Sequence, residues 1–309
     1  MRLICLAVLI LALIILALQP SGGVIAGVEP ESGIRIEKGI TYATVEKEKL
    51  VLDIAMPPGD GPFPCLVLLH GGAWQGGSRK DFTVGAKDKE GNVNPSWMDV
   101  IAKKGYIAAA VSYRLAPKYK FPAMIEDSRA AVRFLRANAK KYKIDSKEIG
   151  AVGFSAGAHL ALLLGLCDKS AGFDVGDNLD ESGQVQCVID FFGPTDLSLY
   201  PASSGLEDGY MVPFLGKECK TNPNIYKKAS PITYVSKGAP PILILHGTID
   251  LIVPIKHSET LLKSLTDAGA TAELITTPFA GHGGWNKSDM EKATTAAFKF
   301  LDQHLKGRK

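Results

Sequence analysis

Short, nearly uninterrupted apolar runs alternate along the chain with longer stretches in which apolar residues recur every three or four positions. The runs "CLVLLH" (65–70), "YIAAAVSY" (106–113) and "IGAVGF" (149–154) read as strands covered on both faces. Further strands are predicted at "VQCVIDFF" (185–192), "PILILHG" (241–247) and "TAELITT" (271–277). Two earlier ones, "GIRIEKGITYAT" (33–44) and "KLVLDIAMP" (49–57), carry the polar alternation of half-exposed antiparallel strands. Helical spacing is found at 95–104, 122–142, 255–268 and 287–305, and a further apolar helix starts at Ala156. Within 122–142, Met124, Asp127 or Ser128, Ala131, Leu135 and Ala139 fall near one stripe, and the basic residues of the last turns suit the negative end of a helix dipole. This alternation predicts an α/β fold, with a mostly parallel central sheet of about eight strands flanked by helices. Residues 193–239, rich in Gly, Pro, Ser, Asn and Lys, break the pattern and read as a lid-like or substrate-binding insertion.

The first residues are of another kind. Arg2 precedes an apolar run from Leu3 to Leu18, shorter than the roughly 20 residues of a membrane span. Val24 and Ala26 then stand in an A-x-A-like arrangement before Gly27. The segment 1–26 is read as a cleavable signal peptide, with an uncleaved anchor as the other reading, and 27–309 as the catalytic domain. A secreted or periplasmic protein, without stable membrane insertion after cleavage, is the expectation. Export permits disulfides among Cys65, Cys167, Cys187 and Cys219, whose three possible pairings stay open. Cys65, inside a strand-like run, is the one expected as a buried free thiol. A net charge of +3 with no basic block argues against a nucleic-acid partner. No C-x-x-C pair or His/Cys cluster points to a metal.

Candidate chemistry centres on "GFSAG" (153–157), a G-x-S-x-G pattern at the seam between a strand run and a helix run. Ser155 on such a tight turn would stand above the sheet edge, with the positive end of the helix aimed at it. A neutral hydroxyl is a weak nucleophile, so it needs a base and a carboxylate to orient that base. In α/β-hydrolases the order along the chain is serine, acid, histidine, each after a later strand. Asp250 in "HGTIDLIVP" and His282 in "FAGHGGW" fit that order. Asp196 in "GPTDL" is the rival acid, expected instead to cap a turn. His70 and His246 are expected to brace loops, His159 to pack near the sheet, and His257 and His304 to lie on surface helices. "HGGAW" (70–74) matches an HGGG-type loop, which makes the backbone N–H groups of Gly72, Ala73 and Ala156 the candidate oxyanion donors.

With "HGGAW", "VSYRLAP", "FPAMIEDSRAAVRFLR", "GFSAGAHLA", "HGTIDLIVP" and "GHGGW" in view, residues 34–305 resemble the α/β-hydrolase superfamily. The likeness is to carboxylesterases and acetylxylan or feruloyl esterases near the hormone-sensitive-lipase group. It implies an exported serine esterase that works through an acyl-enzyme without a cofactor, on a small-molecule or polysaccharide ester. Relatives of that group carry a helical cap before the first strand; here only about eight mature residues precede Ile34, so the lid is expected from 193–239 and the site more open. An amide hydrolase of arylformamidase or peptidase type is the alternative, and an inactive binding protein of the same fold a more remote one.

Overall fold

The computed structural model describes residues 33–85, 93–202 and 204–306; the expected signal peptide lies outside them. Eight strands form one sheet: β1 (Arg35–Val45), β2 (Glu48–Met56), β3 (Phe63–Leu69), β4 (Ile107–Val111), β5 (Ile144–Phe154), β6 (Cys187–Phe191), β7 (Ile242–Gly247) and β8 (Ala272–Thr277). Their spatial order is β1-β2-β4-β3-β5-β6-β7-β8. β1 and β2 form an antiparallel hairpin and β2 runs antiparallel to β4, while every later pairing is parallel. The hairpin turns at Glu46 and Lys47, both at positive φ (48° and 70°), the geometry that matches the twist of the flanking strands. β1 is largely exposed, which accounts for its polar alternation, whereas every residue of β4 and β6 is buried.

Five longer helices cover the sheet: α1 (Trp97–Lys103), α2 (Ala123–Ala137), α3 (Ala156–Leu166), α4 (Lys256–Asp267) and α5 (Lys287–Leu301). Alternate strand residues feed two separate cores. Cys65, Val67 and Leu69 of β3 pack with α2, α3 and α4, while Leu66 and Leu68 pack with α1 and α5. All eleven residues of α3 are buried, so it is apolar all round rather than amphipathic. None of the described helices is long and apolar enough to cross a membrane. Because the chain passes from β3 outward to β4 and then back to β5 on the other side, the carboxyl ends of β3 and β5 meet at a switch in strand order, where open α/β sheets bind their ligands.

The helical stretch expected at 122–142 is interrupted. α2 ends at Ala137, a short turn covers Ala139–Tyr142, and Lys143 in the left-handed region (φ 57°) redirects the chain into β5, which starts five residues before the apolar run. Lys140 and Lys141 of the last turn are exposed, but two arginines earlier on the helix face inward. Arg129 and Arg133 are fully buried and share the carboxylate of Asp174: Arg129 binds both oxygens (2.9 and 2.6 Å) and Arg133 donates to Oδ1 (2.6 Å). Arg129 also donates to the Cys167 carbonyl oxygen at 2.8 Å, which straps the segment after α3 onto α2. His257 also departs from expectation, being buried at the start of α4 where its Nδ1 accepts from the Thr195 N–H at 3.2 Å. Residues 193–239 form short helical pieces of mixed type: Leu197–Leu199, Glu207–Met211 continuing into Val212–Leu215, Pro223–Ala229 and Pro231–Tyr234. None of the four cysteines of the described residues is in a disulfide; burial pushes the thiol of Cys65 up to about 12.

Burial opposes ionisation of Asp174, but hydrogen bonds and charge from Arg129 and Arg133 hold its carboxyl below the usual range. Asp174→Ala would strand two buried guanidinium groups and is expected to cost about 3–5 kcal/mol of stability by urea denaturation. Since the folded carboxyl titrates low, its contribution is present above about pH 4 and disappears as pH falls through the folded value. The alanine variant should lack that acid-limb dependence.

Candidate active site

Ser155 occupies the junction of β5 and α3 with φ 53° and ψ −119°, a conformation that L-residues hold only under constraint. The constraint is close packing. A Cβ on Gly157 would lie 2.0 Å from the Leu69 carbonyl oxygen, and one on Gly153 would lie 2.3 Å from that of Gly157. The first turn of α3 thus presses directly on the end of β3. Ser155 N–H donates to the Phe191 carbonyl (2.9 Å) and His159 N–H to the Ser155 carbonyl (3.0 Å), which fixes the turn from both sides.

The structure brings Asp250 and His282 to this serine. His282 Nε2 is 2.8 Å from Ser155 Oγ, and Nδ1 is 2.7 Å from Asp250 Oδ2. A carboxylate accepts, so the Nδ1–H donates to Asp250 and Nε2 is left to accept from the serine hydroxyl. Asp250 lies in the loop after β7, and its other oxygen takes the N–H groups of Ile252 and Val253, each at 2.9 Å. Burial alone would raise the Asp250 carboxyl; hydrogen bonds from His246 and His282 overcome this and hold it well below the usual carboxylate range. His282 lies in the loop after β8. The two loops touch at Gly247, where a Cβ would stand 2.3 Å from the Ala280 carbonyl oxygen. Phe192 packs edge-on against the imidazole, centroids 4.9 Å apart. Such a chain can move a proton from hydroxyl to ring while the carboxylate steadies the resulting charge.

The loop after β3 passes over Ser155 in three consecutive positive-φ residues: Gly72 (107°), Ala73 (52°) and Trp74 (58°). Its tight turn is closed by Gln75 and Gly76 N–H groups donating to the Gly72 carbonyl, both at 2.9 Å. A Cβ on Gly72 would lie 2.5 Å from the Gly76 oxygen, so glycine is required there. Among the described residues, the N–H groups of Gly72 and Ala73 donate to no backbone carbonyl, and Ala156, as the first residue of α3, has no intrahelical acceptor. Trp74 anchors the loop, stacking on Phe214 at 4.1 Å and donating from Nε1 to His159 Nδ1 at 3.3 Å. A small cavity beside Ser155 is bounded by Ala73, Trp74, Pro194, Tyr200, Tyr210 and Met211.

The remaining candidates lie elsewhere. Asp196 accepts from Ser198 N–H (3.0 Å) and caps the turn Leu197–Leu199. His70 donates to the Gly71 carbonyl (2.8 Å) and stacks on Tyr113. His159 is buried, donates to the Ala229 carbonyl at 2.7 Å, and is pushed by burial to about 4. His304 packs on Phe300 at the end of the chain's last helix. One neighbour of the site was not anticipated, Phe192, which follows β6. His246 braces the loop after β7 as expected, through Nε2 to the Val253 carbonyl at 2.8 Å, and the same nitrogen also stands 3.3 Å from Asp250 Oδ2.

Sheet order and the strand-to-helix serine turn place the chain among the α/β-hydrolases. Within that class it belongs to the BD-FAE family, whose model matches residues 52–265. Esterase LipQ of Mycobacterium tuberculosis is 32% identical over 252 residues, which cover 79% of this chain and 56% of that protein. Esterase LipC of the same organism is 28% identical over 230 residues, covering 72% and 53%. The chain thus spans about half the length of these curated relatives. Among solved structures, a truncated carbohydrate esterase from gut microbiota is similar with a TM-score of 0.72 at 27% identity, covering 87% of this chain and 98% of that one. The thermophilic esterase Est2 of Thermogutta terrifontis gives a TM-score of 0.70 at 26% identity, covering 89% and 94%.

The contact between α3 and β3 is testable. Gly157→Ala would force the helix off the Leu69 and His70 carbonyls, 2.0 and 2.5 Å from the new methyl. We expect a loss of at least about 1–3 kcal/mol in thermal unfolding.

Proposed function

We propose that this chain is a serine carboxylic-ester hydrolase acting through an acyl-enzyme. The observation that carries the reading is the hydrogen-bonded line from Ser155 Oγ through His282 to Asp250, with links of 2.8 and 2.7 Å. Ser155 attacks the ester carbonyl while His282 takes its proton, and Asp250 holds the ring and steadies the imidazolium. The oxyanion is received by the N–H groups of Gly72, Ala73 and Ala156, backbone dipoles fixed before the substrate arrives. His282 then protonates the leaving alcohol, and water repeats the sequence on the acyl-serine.

For substrate, we propose short-chain esters, with acetylated or feruloylated carbohydrate as the natural class. Tyr200, Tyr210 and Met211 leave only a small cavity beside Ser155, which favours short acyl groups over long ones, and one similar solved structure is a carbohydrate esterase. Residues 193–239 supply that wall and act as the substrate-binding insertion. The apolar run after Arg2 supports export as the setting.

A panel of p-nitrophenyl esters from acetate to decanoate, acetylated xylan, methyl ferulate and N-formyl anilides tests the reading. Acetate and the carbohydrate esters should be turned over fastest, the decanoate and the anilides poorly. Ser155→Ala should lose roughly 10⁴- to 10⁶-fold in kcat with folding intact, and Asp250→Asn roughly 10⁴-fold. Turnover by Ser155→Ala at the wild-type rate, or failure of a fluorophosphonate probe to label the wild-type chain, would overturn it.

A further inference from the structure

Behind the aspartate of the proposed triad lies a second imidazole. His246 is completely buried at the end of β7. Its Nδ1 is 2.6 Å from Ser258 Oγ on α4, and its Nε2 is 2.8 Å from the Val253 carbonyl oxygen and 3.3 Å from Asp250 Oδ2. Both oxygens near Nε2 only accept, so that nitrogen carries a proton in either charge state of the ring. In the neutral ring Nδ1 accepts from the Ser258 hydroxyl, which fixes the tautomer from the far side.

The shared N–H is placed on the oxygen that matters. Asp250 Oδ1 is occupied by the two loop N–H groups, while Oδ2 faces His282 on one side and His246 on the other. Among the described residues, these imidazoles are the side chains within hydrogen-bonding reach of the carboxylate. The other titratable groups packed around them are Asp190 on β6, His257 on α4 and Tyr200, which directly follows the turn Leu197–Leu199. Asp190 is fully buried and raised by that burial to about 7, with Oδ1 on the Gly193 N–H. His257 is lowered by burial to about 4. Tyr200 is raised by burial and by the Asp250 charge. None of the three hydrogen-bonds to Asp250.

We infer that His246 is a positioning residue for catalysis: its Nε2–H holds Asp250 Oδ2 and the Val253 carbonyl together, setting the place and the basicity of the carboxylate that orients His282. This inference rests on the proposed roles of Ser155, His282 and Asp250. An N–H donated to Oδ2 draws off negative charge that would otherwise stabilise the His282 imidazolium. Its removal should therefore raise the pH at which His282 gives up its proton, and the acid limb of kcat/KM should move upward.

The test compares pH profiles of p-nitrophenyl acetate hydrolysis by wild type, His246→Leu and His246→Gln, with thermal unfolding of each. The leucine variant fills the space without an N–H, whereas the glutamine amide can present one near the position of Nε2. We expect His246→Leu to lose roughly tenfold in kcat with KM little changed, and its acid limb to rise by up to about one unit. His246→Gln should restore much of both. A folded leucine variant with the wild-type limb, or glutamine and leucine variants that behave alike, would overturn the inference. Should His246→Leu not fold, Ser258→Ala decides: loss of the hydroxyl that fixes the ring should move the limb in the same direction, and an unmoved limb overturns the proposal. Ser155→Ala, assayed alongside, separates the two claims. Retained turnover there removes the proposed hydrolase itself, whereas abolished turnover there with an unmoved limb in the His246 or Ser258 variant removes only the role of His246.

Discussion

The contact on which the site depends is the approach of the first turn of α3 to the carbonyl end of β3, with nothing but the hydrogen of Gly157 between them. A helix that close cannot be entered by a relaxed loop, so Ser155 takes up the positive-φ turn that lifts its hydroxyl off the sheet. The same closeness brings the unpaired N–H groups at the start of α3 beside the loop that leaves β3. The proposed nucleophile and the proposed oxyanion donors are thus products of one packing constraint. The energy that holds the strained turn comes from an apolar helix buried on every side.

The proposed acid and base, Asp250 and His282, are placed by a different device. They sit on loops after neighbouring parallel strands, β7 and β8, and parallel strands send their following loops to the same edge. Gly247 lets those loops touch, and the N–H groups of Ile252 and Val253 fix one carboxylate oxygen so that the other is left for imidazole. The carboxylate remains ionised although buried, because donated hydrogen bonds outweigh the desolvation. Each proton position along the line follows from an acceptor that has none to give.

Most of this was readable in one dimension because its signals are local. Buried strands show as short apolar runs, and a glycine on either side of Ser155 marks a turn that tolerates no side chain. What escaped is held by partners distant in sequence. Arg129 and Arg133 look like a solvated basic face until Asp174, about 40 residues later, is folded against them. His257 lies on a helix of surface-like pattern, yet its first turn faces inward over Thr195. β5 begins early, at Ile144, because a left-handed Lys143 turns the chain sooner than the apolar pattern does. Residues 193–239 read as irregular because they are built from short helical pieces of different types, broken by Gly, Pro and Asn, whose order comes from burial of Met211, Phe214 and Tyr226.

The lack of disulfides among the described cysteines bears on how the fold is held. Cys65, Cys167 and Cys187 are sealed in the interior, and burial keeps Cys65 and Cys167 protonated, the form that resists oxidation. No covalent cross-link between cysteines contributes to the described part of the fold. Among the described residues, then, the fold is held without disulfides, and the buried thiols of Cys65 and Cys167 should be insensitive to the redox potential around them.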